Sequence, residues 1–159
     1  MLEESGFAKI TIDNLCASLG VTKGSFYHHF KNINAYTAAL MEYWLKKNTL
    51  DIIRQADQAE SEKSTELNSL VSALGHKSEL HIRAWSFSHA IVRDFVAKAD
   101  QIRLEYLTAM FVQMGHDYPS AKDQALLEYA TLIGVQHLAP DLPADEWRRL
   151  QEVYRISGD

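Results

Sequence analysis

Two helix-start signals eleven residues apart, with a glycine between them, constrain this chain more than any other feature. Thr11 stands where an N-cap belongs, Asp13 follows in the first turn to suit the helix dipole, and Ile10 and Leu15 occupy the positions of a hydrophobic staple. Ile12, Leu15, Cys16 and Leu19 then recur at i, i+3, i+4 and i+7, which predicts one buried stripe. Gly20 sits where the left-handed turn of a helix end favours glycine. Thr22 repeats the start signal, with Val21 and Phe26 as its staple. Phe26 and Phe30 predict the inward face of this second helix, and Lys23 with Tyr27 and Gly24 with His28 the outward one. Two short amphipathic helices joined through a glycine are the helix-turn-helix plan.

The rest of the chain reads as helix after helix. Leu40, Tyr43, Trp44, Leu50 and Ile53 mark a long helix from Ala35, ending in a polar stretch at 55–66 that reads as a helix end and linker. Segments 67–74, 80–87, 91–96 and 102–114 predict successive helices, with Gly75 and Gly115 as stops. Pro119 suits a first helical turn, 121–138 a long helix, and 144–155 a last helix beyond the loop that holds Pro140 and Pro143. Three prolines, seven glycines and 47% apolar residues in 159 support an all-α fold with a real core. The expected division is a helix-turn-helix domain at 1–34 and a helical domain at 35–159.

Several classes of function are disfavoured. No stretch approaches the roughly 20 apolar residues of a membrane span, a single Cys16 makes no internal disulfide, and residues 1–6 lack the basic and apolar regions of a secretory signal. The expectation is a cytoplasmic protein with no membrane partner. Seven histidines include no pair at helical i, i+4 spacing, so no metal is expected, and Cys16 reads as packing where the two short helices cross. No nucleophile elbow, phosphate loop or dinucleotide glycine pattern occurs, which argues against an enzyme or a bound cofactor. The net charge of −5 is uneven: residues 1–50 hold five lysines and four acidic residues, whereas 51–159 hold eleven basic and seventeen acidic. That asymmetry points a nucleic-acid partner toward the front of the chain.

Gly6-Phe7, Ile10-Thr11-Ile12, Leu15-Cys16 and the run from Leu19-Gly20-Val21-Thr22-Lys23-Gly24-Ser25 through Phe26-Tyr27-His28-His29-Phe30 to Lys31-Asn32 closely resemble the DNA-binding signature of the TetR (tetracycline-repressor) family. Arg83-Ala84-Trp85 and residues 130–136 resemble the C-terminal domain of one of its subgroups. The resemblance implies a homodimeric regulator of transcription that binds a double-stranded DNA operator and, as a repressor, is released by a small-molecule effector. It implies that Thr22 and the start of the second helix meet phosphate, that Lys23 reaches a guanine edge, and that Gly24 allows close approach of the backbone. Ser25 belongs to the same segment. Tyr27 and His28 would contact phosphate or base, with Thr11 and Lys31 flanking and Asp13 serving the helix cap. The sequence departs from the family in two places. The helix ahead of Gly6 is short, which predicts that Phe7, Leu15 and Phe30 are partly uncovered, and Ile33 stands where the family carries a phosphate-binding lysine. These departures favour the alternative, a dimeric ligand sensor or interaction protein with impaired DNA binding.

The resemblance also implies an effector site inside the C-terminal bundle. Trp85, His89, Arg103, Tyr106, Met110 and Phe111 are the candidates for it, together with Phe87 and Phe95. Leu126, Leu127, Ala130, Ile133, Gly134 and His137 form a broad stripe on the 121–138 helix, and Trp147, Leu150, Val153 and Tyr154 a second one. Such stripes predict the surface on which two copies pair.

Overall fold

A computed structural model of the chain describes residues 10–59, 63–74, 76–143, 145–147, 149, 150 and 153. Among the described residues all regular structure is helical. Helix α1 (Ile12–Leu19) starts where the Thr11 hydroxyl accepts the Asn14 N–H at 3.2 Å. It ends at Gly20, whose φ of 66° lets the Val21 N–H turn back onto the Cys16 carbonyl at 3.0 Å. Helix α2 (Lys23–His29) repeats the device, with Thr22 accepting from the Ser25 N–H at 3.1 Å. Helix α3 (Ile33–Leu45) begins earlier than expected because Asn32 caps it, accepting from the Ala35 N–H at 2.9 Å.

From α3 the chain continues through a π-helical turn, Lys46–Leu50, directly into α4 (Asp51–Gln58). Helix α5 (Lys63–Ser72) occupies part of the stretch expected to be a linker. Helix α6 (His76–Ser86) precedes α7 (Ala90–Gln113), a single helix where two were expected. The polar residues between those two expected segments do not interrupt it: Ala99 is fully buried, and the neighbouring Asp100 is held by Arg83. Asp117 then caps α8 (Tyr118–Leu138) by accepting from the Ser120 N–H at 3.0 Å, with Pro119 in the first turn, where its missing N–H costs nothing. Residues 145–147, 149, 150 and 153 are helical, in line with a last helix. The expected stop at Gly75 lies outside the described residues.

Two clusters of buried side chains organise these helices. The smaller joins Leu15, Cys16 and Phe26, with Phe30, Ile33 and Tyr36 packed on it. Leu15 is only 4% exposed, so the uncovering expected there is not found, while Phe30 is half-buried; Phe7 lies outside the described residues. The larger cluster joins Met41, Trp44 and Leu45 of α3 to Ile82 and Trp85 of α6 and to Val92, Val96 and Ala99 of α7. Helix α3 thus belongs to both, its first turns packing on the helix-turn-helix and its last turns on the larger body.

Trp85 stands at the centre of this larger cluster. Its replacement in Trp85→Ala is expected to lower stability by about 3–5 kcal/mol, read as a fall in the urea midpoint. A loss under about 1 kcal/mol would remove Trp85 from the core.

Candidate nucleic-acid interface and cavity

The short helix α2 presents two unlike faces. Phe26 points inward at 7% exposure, while Lys23, Gly24, Ser25, Tyr27 and His28 are all exposed, Tyr27 by 55%. Thr11, Lys23 and Tyr27 meet at one shallow open groove that Asp13 and Ile33 also line. Lys31 and Thr22 are exposed beside it, and His28 stacks edge-on against His29 at 5.1 Å. Both threonine hydroxyls accept cap hydrogen bonds and keep an O–H free to donate.

Asp13 takes the expected first-turn position and has a further part. It lies in the first turn of α1, and its carboxylate forms an ion pair with Lys23 across the helix-turn-helix. The hydrogen bond and the charge of Asp13 raise the Lys23 pKa, so the ammonium stays protonated. The candidate base-reading lysine is therefore tethered within the chain before any partner arrives. Ile33 packs against the small core cluster and offers no charge.

The second site lies inside the larger body. A cavity of about 130 Å³ with mostly apolar walls is bounded by the π turn and by α4, α5, α7, α8 and the segment around Trp147. Of the six effector candidates, only Arg103 and Tyr106 line it. Trp85 is buried in the core, and His89 precedes α7 with its ring against Trp85 at 5.2 Å. Met110 is buried away from the cavity, Phe111 stacks on His116, and Phe87 is 86% exposed. Phe95 packs on the core cluster. These residues share helical spacing with the true walls but face other sides of α6 and α7.

A buried charge network closes one end of the cavity. Arg103 donates from Nε to the Thr49 hydroxyl at 3.0 Å, and from Nη1 to Glu79 and to the Tyr129 hydroxyl, each at 2.9 Å. Its Nη2 donates to the Asn48 carbonyl at 3.2 Å. Arg83 grips Asp100 with both Nη atoms, at 3.1 and 2.6 Å, and approaches Glu79 at 2.9 Å. The Tyr129 hydroxyl accepts from both arginines and donates to Asp100 at 2.6 Å. Burial drives the Tyr129 pKa up to about 12, which keeps this donor protonated. Burial alone would raise Asp100 as well, but hydrogen bonds from Arg83 and Tyr129 and the charges of both arginines hold it below the ordinary carboxylate range. Glu79 and Tyr129 escaped the sequence reading. Glu79 fell just ahead of the helix expected at 80–87, and Tyr129 carried only the weak signal of Ala121 and Ala125 preceding it at four-residue steps.

On α8, Ala121, Ala125, Tyr129 and Gln136 are buried against the body. The opposite side shows Leu126 and Leu127 at 55% and 56% exposure, with Ala130 and His137 also exposed and Ile133 and Gly134 half-buried. No atom lies within 4 Å of where a Gly134 side chain would begin. Trp147 departs from the expected pairing surface: it is 4% exposed and turned into its own subunit, where with Leu150 it lines the cavity. Val153 is exposed, and Tyr154 lies outside the described residues.

A family profile described as bacterial regulatory proteins, tetR family, matches residues 1–40. The match takes in both short helices and their caps, and the chain is similar to that family over this segment. Two solved structures share the fold of this chain. A TetR transcriptional regulator from Legionella pneumophila superposes with a TM-score of 0.73 at 15% identity, covering 87% of this chain and 80% of that one. A protein of Pseudomonas aeruginosa PAO1 assigned as a transcriptional regulator gives a TM-score of 0.73 at 16% identity, covering 98% and 83%. No curated protein matches the sequence. Among the described residues no helix is long and apolar enough to cross a membrane.

The depressed pKa of Asp100 makes stability depend on pH. Its contribution is complete above the ordinary carboxylate value near 3.8 and is lost as pH falls through the lower folded value. Asp100→Asn is expected to cost about 1.5–3 kcal/mol at neutral pH, with the difference from wild type shrinking in strongly acidic buffer. Urea titrations giving the same difference at both pH values would show that the carboxylate charge is not what holds Arg83.

Proposed function

We propose that this chain is a DNA-binding regulator of the tetR family that acts as a homodimeric repressor, released from a double-stranded operator when a small molecule enters the cavity. The observation that carries the reading is the exposed outer face of α2. Lys23, Tyr27 and Thr11 line one groove, on the most basic part of an otherwise acidic chain. A short helix with its apolar side buried and this side free fits end-on into a major groove. In this reading Thr22, Thr11, Tyr27 and Lys31 bind phosphates, Ser25 and His28 contact phosphate or base, and Gly24 permits close approach. Lys23 reads a base edge after leaving Asp13.

Residues 1–34 form the DNA-binding domain and 35–159 the effector and dimerisation domain. Operators met as two half-sites about 34 Å apart require two such heads, and the exposed face of α8 offers the pairing surface. Leu126, Leu127, Ala130, Ile133, Gly134 and His137 line that surface, with small residues that let backbones approach. Arg103 and Tyr106 form part of the wall against which the effector packs.

Operator titration at several salt concentrations, using the promoter of the protein's own gene, tests the DNA face. Lys23→Ala should lose about 1–3 kcal/mol of preference at one base pair, and Tyr27→Phe should weaken binding to all sequences alike. Asp13→Asn, which frees Lys23 and removes a negative charge, should strengthen binding. Unchanged affinity in all three variants would overturn the assignment.

Light scattering tests the assembly. The wild type is expected as a dimer, and Leu127→Glu as an 18.1 kDa monomer that no longer holds the operator. A wild-type monomer at micromolar concentration would refute the pairing surface.

A further inference from the structure

Arg103 brings a permanent positive charge to the cavity wall, yet it has nothing left to offer a ligand. A guanidinium has five N–H donors, and here they meet Thr49, Tyr129, the Asn48 carbonyl and both oxygens of Glu79. Its charge is balanced by Glu79, and that of the neighbouring Arg83 by Asp100. Glu128, which also lines the cavity and has a partner of its own, adds a second acidic group to the lining. The remaining wall is largely apolar, with Ile52, Leu67, Val71, Leu107, Leu132 and Val135.

An entering carboxylate or sulfonate would therefore give up its water without finding a free guanidinium N–H among the described lining residues, and would face the carboxylates of Glu79 and Glu128. An entering ammonium would have to compete with two arginines for Glu79. Desolvating a charge without a partner costs several kcal/mol, whereas burying an alkyl chain is favourable. We propose that the cavity takes an uncharged, mostly apolar molecule and rejects its ionised counterparts. This rests on the reading of the cavity as a ligand site.

The test uses N-phenyl-1-naphthylamine, an uncharged probe that brightens in apolar surroundings, displaced at neutral pH by 1-octanol, octanoate or octylammonium below their micelle concentrations. Octanol should displace the probe, and either ion should need about tenfold more or worse, a difference of about 1.4 kcal/mol. Octanoate or octylammonium matching or beating octanol would overturn the proposal. Val71→Trp, which fills the cavity, should abolish probe binding while the melting temperature is kept; probe binding that survives would place it elsewhere and equally overturn the proposal. Glu79→Gln leaves Arg103 unopposed and should bring octanoate about tenfold closer to octanol, and if that variant does not fold, the wild-type series decides alone. Operator affinity measured in parallel separates the two readings. Octanol that fills the cavity and leaves the operator bound would sink effector release but support the ligand class, whereas a cavity that no probe enters would sink both.

Discussion

The guanidinium of Arg103 is the point on which the larger body depends. It reaches from α7 to the Asn48 carbonyl and Thr49 hydroxyl of the π turn, to Glu79 of α6 and to Tyr129 of α8, and it lies over the Trp44 ring at 5.4 Å. A buried cation is tolerated only where charge and hydrogen bonds compensate it. Burial opposes the charged form, but the charge of Glu79 and the Tyr129 contact outweigh it and raise the Arg103 pKa. Each neighbour is thereby fixed in distance and direction, which apolar packing alone does not achieve.

The same residue links the two sites. Trp44, Asn48 and Thr49 continue the rod whose first turns, at Ile33 and Tyr36, pack on the helix-turn-helix. The cavity wall includes Asn48, Thr49 and Ile52 on that rod and Arg103 opposite. The cavity wall and the helix-turn-helix are thus joined through one unbroken run of helix, without an intervening loop.

Local chemistry was legible in the sequence, and long-range pairing was not. Thr11, Gly20 and Thr22 act on backbone groups three or four residues away, so their roles follow from spacing alone. Asp100 reads as a surface residue splitting two helices because its partner, Arg83, is seventeen positions away. The cavity had the same problem. Leu67, Val71 and Leu74 repeat at helical spacing, but the charged residues before them disguised α5, and the aromatic residues that drew attention, Trp85 and Phe111, lie on other faces. Trp147 shows the converse error: an apolar stripe near the chain's end need not face a partner if its own subunit has a cavity to close.

The π turn at Lys46–Leu50 accommodates one residue more than an α-helical turn between its hydrogen-bonded groups, and such a residue in a straight helix is worth about 100° of rotation. The wider winding of the π turn takes up that residue, and Trp44 and Leu45 before it and Ile52 and Ala56 after it are all buried.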